Sequence, residues 1–574
     1  MPNKRNDIFR VMEEEIYNTG KSDVRSRKYL FPRRVVWKQG CVENVEELLK
    51  EKPIQSTVTA EQYCLLKNKG TEKASVILDF GVELHGGIRV IALDEKNGTN
   101  GKGTKVRIRF GESVSEAMSE IGMESNATND HARRDMVIET GFMSMNPIGE
   151  TGFRFVRIDL EEPNTYLTLT SVCAVLVYKD VPYLGSFSCS DPLLTRIWDV
   201  GAYTVHLNMQ EYIWDGIKRD RLVWIGDMHQ EARTIYSVFG ADDAILNSLE
   251  FTRMNTKHPG WINDYATYSM WYVIEVLDYY QFTGNREFLN HQREFLLEIL
   301  DQLTAHIDEN GKDIAQLGKQ TRFLDWPSVG KTNIVDAGVQ SIHVLALKAF
   351  IKIFNVLDDK ERVKQCENDL EKLMNYPLNY EDSKQAAALM VLAGMEDAEK
   401  VNGNLLSVGG AKGMSTFMGY YILSARAKAG DYQGCLDAVR EYWGGMLKLG
   451  ATTFWEDFAL EWMKNAGRID ELPVDGKVDV HAVYGNHCYK GLRHSLCHGW
   501  SGGVTCWLSE NVLGVKIVEP GCSTVEVKPH LGDLQWARGT YPTPYGSIEI
   551  FCEKQSDGTV KTDVKAPEEV KVLF

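Results

Sequence analysis

Apolar and polar positions change their period twice along the chain. In the first part they alternate in twos. Val106, Ile108 and Phe110 are separated by Arg107 and Arg109, and Phe153-Arg154-Phe155-Val156-Arg157-Ile158 repeats the pattern. That period suits strands with one buried face. Ala74-Ser75-Val76-Ile77-Leu78-Asp79-Phe80 is a short β-branched run ahead of Gly81 and the Gly86-Gly87 pair, and Asn97-Gly98-Thr99-Asn100-Gly101 reads as a turn. The pattern predicts an antiparallel β-sandwich ending near residue 186.

The period shifts at Ser190-Asp191-Pro192. Asp191 suits an N-cap and Pro192 the first helical position. Leu193, Leu194, Ile197 and Trp198 then follow helical spacing. About a dozen helices are predicted from here to residue 509, among them 268–283, 286–305, 336–356, 359–374, 415–429 and 432–449. No strict short repeat marks a solenoid. A closed double ring of helices buries that many amphipathic faces. The tail returns to strands: Val525 and Val527 alternate, and Ile548, Ile550 and Phe551 follow Pro544-Tyr545-Gly546. The expected division is an N-terminal β-sandwich domain at 1–187, a helical domain at 188–509 and a small C-terminal β-domain at 510–574.

Composition narrows the partners. A formal net charge of −16 and the lack of a long basic tract argue against nucleic acid and anionic membrane surfaces. No run of about 18 apolar residues calls for a membrane span. The start, MPNKRNDIFR, lacks an apolar signal core, and 11 cysteines without CxxC pairs read as reduced, mostly buried thiols. A cytoplasmic protein without cofactor or metal is expected, and a homodimer is compatible with the sequence.

Candidate chemistry gathers in loops between helices. Trp214 to His229 contains Asp215, Arg219, Asp220 and Asp227 with two tryptophans. Gly450 to Phe458 sets Glu456 beside Trp455. Three shorter segments place tryptophan beside polar groups: Trp261 with Asp264, Asp325 with Trp326, and His498 with Trp500. A lone tryptophan usually serves the core, and a charged loop is usually a solvated one. Five such clusters at the ends of helices suggest a pocket where aromatic faces stack on a sugar and carboxylates hold its hydroxyls. Two acids far apart in sequence match glycoside hydrolysis, one protonating the leaving oxygen and one activating water or attacking directly. Sequence spacing leaves inversion and retention open.

These segments resemble the family 78 glycoside hydrolases, the bacterial α-L-rhamnosidases. Asp215-Gly216-Ile217-Lys218-Arg219-Asp220-Arg221-Leu222-Val223-Trp224-Ile225-Gly226-Asp227 is similar to the family's acidic loop. Ala451-Thr452-Thr453-Phe454-Trp455-Glu456 matches its Ala-Thr-Thr-x-Trp-Glu segment, and Ser495 to Gly502 its histidine segment. The likeness covers roughly residues 70–560. It implies a central (α/α)6 barrel flanked by the two β-domains, an inverting exo-hydrolase releasing terminal α-L-rhamnose, and no metal at the reacting centre. Glu456 would be the general base. Asp215 and Asp227 would bind rhamnose hydroxyls near Arg219. Trp261, Asp264, Trp326 and Trp455 would line the pocket, with Asp325 and Trp500 beside it and His498 on the sugar. An apolar wall would receive the C6 methyl. The family's general acid is a glutamate; here Asp220 stands there, with Asp227 or Glu231 as the alternative proton donor. A non-hydrolytic carbohydrate-binding homologue, or a helical-barrel phosphorylase or lyase acting on another sugar, is the competing reading.

Overall fold

The computed structural model describes residues 21–96, 103–122, 125–315 and 322–574. The chain start and the turn expected at 97–101 lie outside the described residues. The N-terminal strands form one antiparallel sheet of nine strands. Its centre is the long strand Ser75–Lys96, between Met145–Leu160 and Tyr166–Tyr178. Val76 faces Ile158, and Leu78 faces Val156 across the first pair. All four side chains are buried, as the alternation requires. Instead of two separate sheets, one hydrogen-bonded sheet bends at bulges between Asp79 and Leu84 and between Gly86 and Gly87.

The helical part opens as expected. The Asp191 carboxylate accepts from the Leu193 backbone N–H at 2.8 Å, and Pro192 begins helix Pro192–Asn208. Six helices then pack each against the next: Ile225–Val238, Ala266–Thr283, Thr332–Val356, Lys384–Ala393, Gly419–Lys428 and Gly503–Asn511, the last returning to the first. Helices Pro192–Asn208, Asp243–Asn255, Arg286–Thr304, Lys360–Asn375 and Tyr432–Lys448 pack outside this ring. Helix Thr332–Val356 is long and apolar enough to cross a membrane, but its apolar window is 78% buried inside the fold. Residues expected as helix at 415–418 form a turn, and the stretch between 449 and 502 holds only short helical turns among the described residues.

The boundary expected at 187 falls inside a strand. Ser186–Cys189 pairs with Trp536–Thr543, so the C-terminal four-stranded sheet takes its edge strand from ahead of the helices. Phe551, grouped with Ile548 and Ile550 in the sequence reading, is exposed, and Cys552 takes the buried register. The ten described cysteines are free, and all but Cys41 are buried.

The N-terminal sheet also grips the ring. Arg154 pairs with Asp79 and donates to the Gly450 carbonyl at 3.0 Å. The Glu83 backbone N–H donates to the Thr452 hydroxyl at 2.9 Å. The loop leading to Glu456 is thereby anchored on the β-domain.

Candidate active site

The loop after helix Pro192–Asn208 closes on itself before helix Ile225–Val238 begins. The Leu222 N–H donates to the Asp215 carboxylate at 2.9 Å, while the Asp215 N–H donates to the Leu222 carbonyl at 3.2 Å. Gly499 N–H holds the Asp215 carbonyl at 2.8 Å, which ties the loop to the histidine segment. Asp220 and Arg221 both occupy left-handed backbone, φ 54° each. Two consecutive non-glycine residues there cost about 1–3 kcal/mol each, and the closed loop imposes that turn. Asp227 lies in the first turn of the next helix, where the Tyr268 hydroxyl donates to it at 3.0 Å. Gly226 permits that bond, because a Cβ there would sit about 2.0 Å from the Tyr268 ring.

The Ala451-Thr452-Thr453 run works as fasteners. The Thr453 hydroxyl donates to the Leu496 carbonyl at 2.7 Å, and the Phe454 N–H donates to the Thr204 hydroxyl at 3.0 Å. Glu456 therefore arrives buried and pinned. Its backbone N–H donates to Ser495 O at 3.0 Å, and its carbonyl accepts from the Trp500 indole at 2.9 Å. One carboxylate oxygen accepts from the Ser495 N–H at 3.2 Å, and the other from Nη2 of Arg219. Nη1 of the same guanidinium donates to Asp220 at 3.1 Å. His498 Nε2 stands 3.8 Å from Asp215, 4.0 Å from Asp227 and 3.9 Å from Glu456.

These groups surround one cavity, lined by Asp215, Arg219, Asp220, Asp227, Trp326, Glu456, His498 and Trp500 of the expected residues. Burial raises the Asp215 and Asp227 carboxyls well above the usual range, and neighbouring acids add to it. Burial also raises Glu456, while the Arg219 charge and hydrogen bond oppose that shift. His498 is driven well below the usual imidazole value, first by burial and then by Arg219. A neutral imidazole among three carboxyls is an uncharged hydrogen-bonding surface for hydroxyls.

Trp261, Asp264, Asp325 and Trp455 do not line the cavity. Trp261 is buried with its ring against His306, and Asp264 is exposed on a left-handed turn. Asp325 caps the turn Trp326–Ser328, accepting from the Ser328 N–H at 3.0 Å; burial pushes its carboxyl up to about 6. Trp455 packs on Phe458 and His494. In an extended segment neighbours point to opposite faces, so Glu456 reaches the cavity and Trp455 turns away.

The cavity adds Trp224, Tyr265, Tyr268 and Phe323. Tyr265 meets Phe323 at 4.9 Å and Phe323 meets Trp326 at 5.1 Å, one continuous aromatic wall. Trp224 stood inside the segment Trp214 to His229 singled out in the sequence, while Tyr265 follows Asp264 and Phe323 lies two residues ahead of Asp325. Glu112, at the end of a β-domain strand, gave no sequence signal. Its carboxylate accepts from the Leu496 N–H at 2.6 Å and the Ser495 hydroxyl at 3.4 Å, directly behind Glu456. Glu112, Glu116 and His481 have ligand-like spacing, but the Lys218 ammonium stands 3.0 Å from Glu112 and 3.4 Å from Glu116.

Two family models match. The bacterial α-L-rhamnosidase 6 hairpin glycosidase domain covers residues 182–380, and the bacterial α-L-rhamnosidase C-terminal domain covers 514–573. An α-L-rhamnosidase of Alteromonas sp. is 23% identical over 547 residues, 86% of this chain and 55% of that protein. The chain thus spans about half the length of that relative. The GH78 rhamnosidase structure of Bacillus sp. GL1 aligns with TM-score 0.72 at 21% identity, over 92% of this chain and 55% of that one. The Klebsiella oxytoca rhamnosidase with rhamnose bound aligns with TM-score 0.64 at 20% identity, over 85% and 96%. At such identities the structural likeness is one of fold. Over residues 182–380 and 514–573 the chain is thus similar to the bacterial α-L-rhamnosidases, and it shares the fold of solved family 78 members.

Proposed function

We propose that this protein is an inverting exo-α-L-rhamnosidase with its cavity at one end of an (α/α)6 barrel. The observation that carries the reading is one guanidinium, Arg219, bonded at once to Glu456 and Asp220 on the wall of a single cavity. The six-helix ring and the helices packed outside it support the barrel reading. The reading keeps a β-domain, a helical domain and a C-terminal β-domain, with the first boundary moved ahead of strand Ser186–Cys189, which pairs with the last.

In this mechanism Asp220 protonates the glycosidic oxygen as the bond to the anomeric carbon breaks. Glu456 removes a proton from the water that attacks that carbon from the opposite face. Arg219 favours the ionised form Glu456 needs. Asp215, Asp227 and His498 hold ring hydroxyls, and the Trp224, Phe323 and Trp326 surfaces take the C6 methyl. Inversion follows the resemblance, and proton NMR of an aryl α-L-rhamnoside reaction tests it. β-L-rhamnose is expected as the first-formed anomer. The α-anomer first would overturn inversion, and absence of turnover would overturn the hydrolase.

A further inference from the structure

A second hollow opens where the catalytic loop meets the β-domain. The chain passes from one site to the other in a single step: Asp220 lines the sugar cavity and Arg221 lines the hollow. His131, also in the hollow, holds Nε2 3.3 Å from the Asp220 carboxylate. With Asp220 as the acid, the leaving oxygen lies at that carboxyl, and whatever it carries extends toward His131.

The hollow has a definite chemistry. Met136 and Ile138 are half-buried on one side and give it an apolar surface. Arg221 donates to the carbonyls of His131 at 2.7 Å and Glu150 at 3.4 Å, neither of which neutralises its charge. Arg133 is exposed and makes no ion pair among the described residues. The one carboxylate in the lining, Glu150, lies 3.7 Å from Arg25 and 3.9 Å from His85. Arg133, without an ion pair among the described residues, and Arg221, whose charge Glu150 offsets only from a distance, beside an apolar shelf suit a ring bearing a carboxylate.

We propose that the N-terminal β-domain carries the leaving-group subsite, and that it binds a uronic acid through Arg133 and Arg221. The proposal rests on the hydrolase reading with Asp220 as acid. It makes the substrate an α-L-rhamnosyl-uronate and gives the β-domain a role in specificity.

The test compares kcat/KM for an α-L-rhamnosyl-uronate disaccharide with its uncharged methyl ester, beside an aryl α-L-rhamnoside. At low ionic strength the wild-type chain should prefer the acid by about tenfold or more. Salt at 0.5 M should shrink that ratio, because exposed charges are screened. Arg133→Glu, at an exposed position, should bring the ratio to one or below. A wild-type ratio near one, a preference that Arg133→Glu leaves intact, or turnover of the aryl rhamnoside alone would overturn the subsite while the hydrolase stands. Failure to cleave any of the three would overturn the hydrolase reading and the subsite with it.

Discussion

Glu456 and Asp220 share one guanidinium but live in opposite surroundings. The Glu456 side chain is 4% exposed and Asp220 is 19% exposed. Glu456 sits on a segment fastened by the hydroxyls of Thr204, Thr452 and Thr453, with Ser495 bonded to its backbone and its carboxylate. Asp220 rides a turn of two left-handed residues, and beyond Arg219 its neighbour is His131 of the β-domain. Under the proposed mechanism the difference separates two tasks. A base acting on water always meets the same small reactant and gains from rigid placement. An acid meets a different leaving group in every substrate and stands at the rim. If Asp220 stands at the family's glutamate position, as the resemblance implies, the exchange falls on the less enclosed of the two positions.

The largest expected effect breaks the base side. Glu456→Gln should lower kcat by about 10³-fold or more, while calorimetry still detects rhamnose. Loss of binding along with turnover would make Glu456 a scaffold residue. The pH profile sharpens the same point. The base must be ionised, and burial raises its carboxyl. Activity is therefore lost as pH falls through that raised value, and the acidic limb of kcat/KM should lie above the ordinary glutamate range of about 4.3.

A smaller effect tests how far the rigid side extends. Glu112 touches no part of the cavity lining, but it holds Ser495 and Leu496 behind Glu456. Glu112→Gln should cost roughly tenfold in kcat with little change in KM, an order typical of a lost hydrogen bond to a charged group. The acidic limb should move to higher pH, because a displaced Ser495 N–H no longer favours ionised Glu456. A lower melting temperature with an unmoved limb would reduce Glu112 to a fold contact.

The smallest effect concerns a carboxyl without support. Both oxygens of Glu275 are buried without hydrogen-bond partners among the described residues, and burial raises its carboxyl well above the usual value. The folded chain then holds a proton that the unfolded chain releases above about pH 4.3, so this group's cost grows as pH rises. Glu275→Gln should raise the melting temperature at pH 8 by about 1–2 °C, and by less at pH 5. An equal gain at both would show that the carboxyl does not titrate in that window.

Much of this contrast was legible in sequence, for uneven reasons. The change of period marked where strands give way to helices, because burial on one face imposes that spacing directly. Asp215, Asp220, Asp227 and Glu456 stood out as acids in loops beside aromatic residues. Adjacency did not fix direction: Trp455 neighbours Glu456 and points away, and Asp325 neighbours Trp326 but spends its carboxylate on a turn. Long-range pairings left no local trace. Strand Ser186–Cys189 joins a sheet some 350 residues further on, with Ser186 opposite Thr540. Glu112 reaches Leu496 from another domain.

The division between base and acid is tested most directly by aryl α-L-rhamnosides of poor and activated leaving groups, assayed with Glu456→Gln and Asp220→Asn side by side. Asp220→Asn should lose about 10²–10³-fold on the poor leaving group and far less on the activated one, which needs no proton. Glu456→Gln should lose heavily on both. Equal losses for Asp220→Asn on the two substrates would contradict its place as the acid.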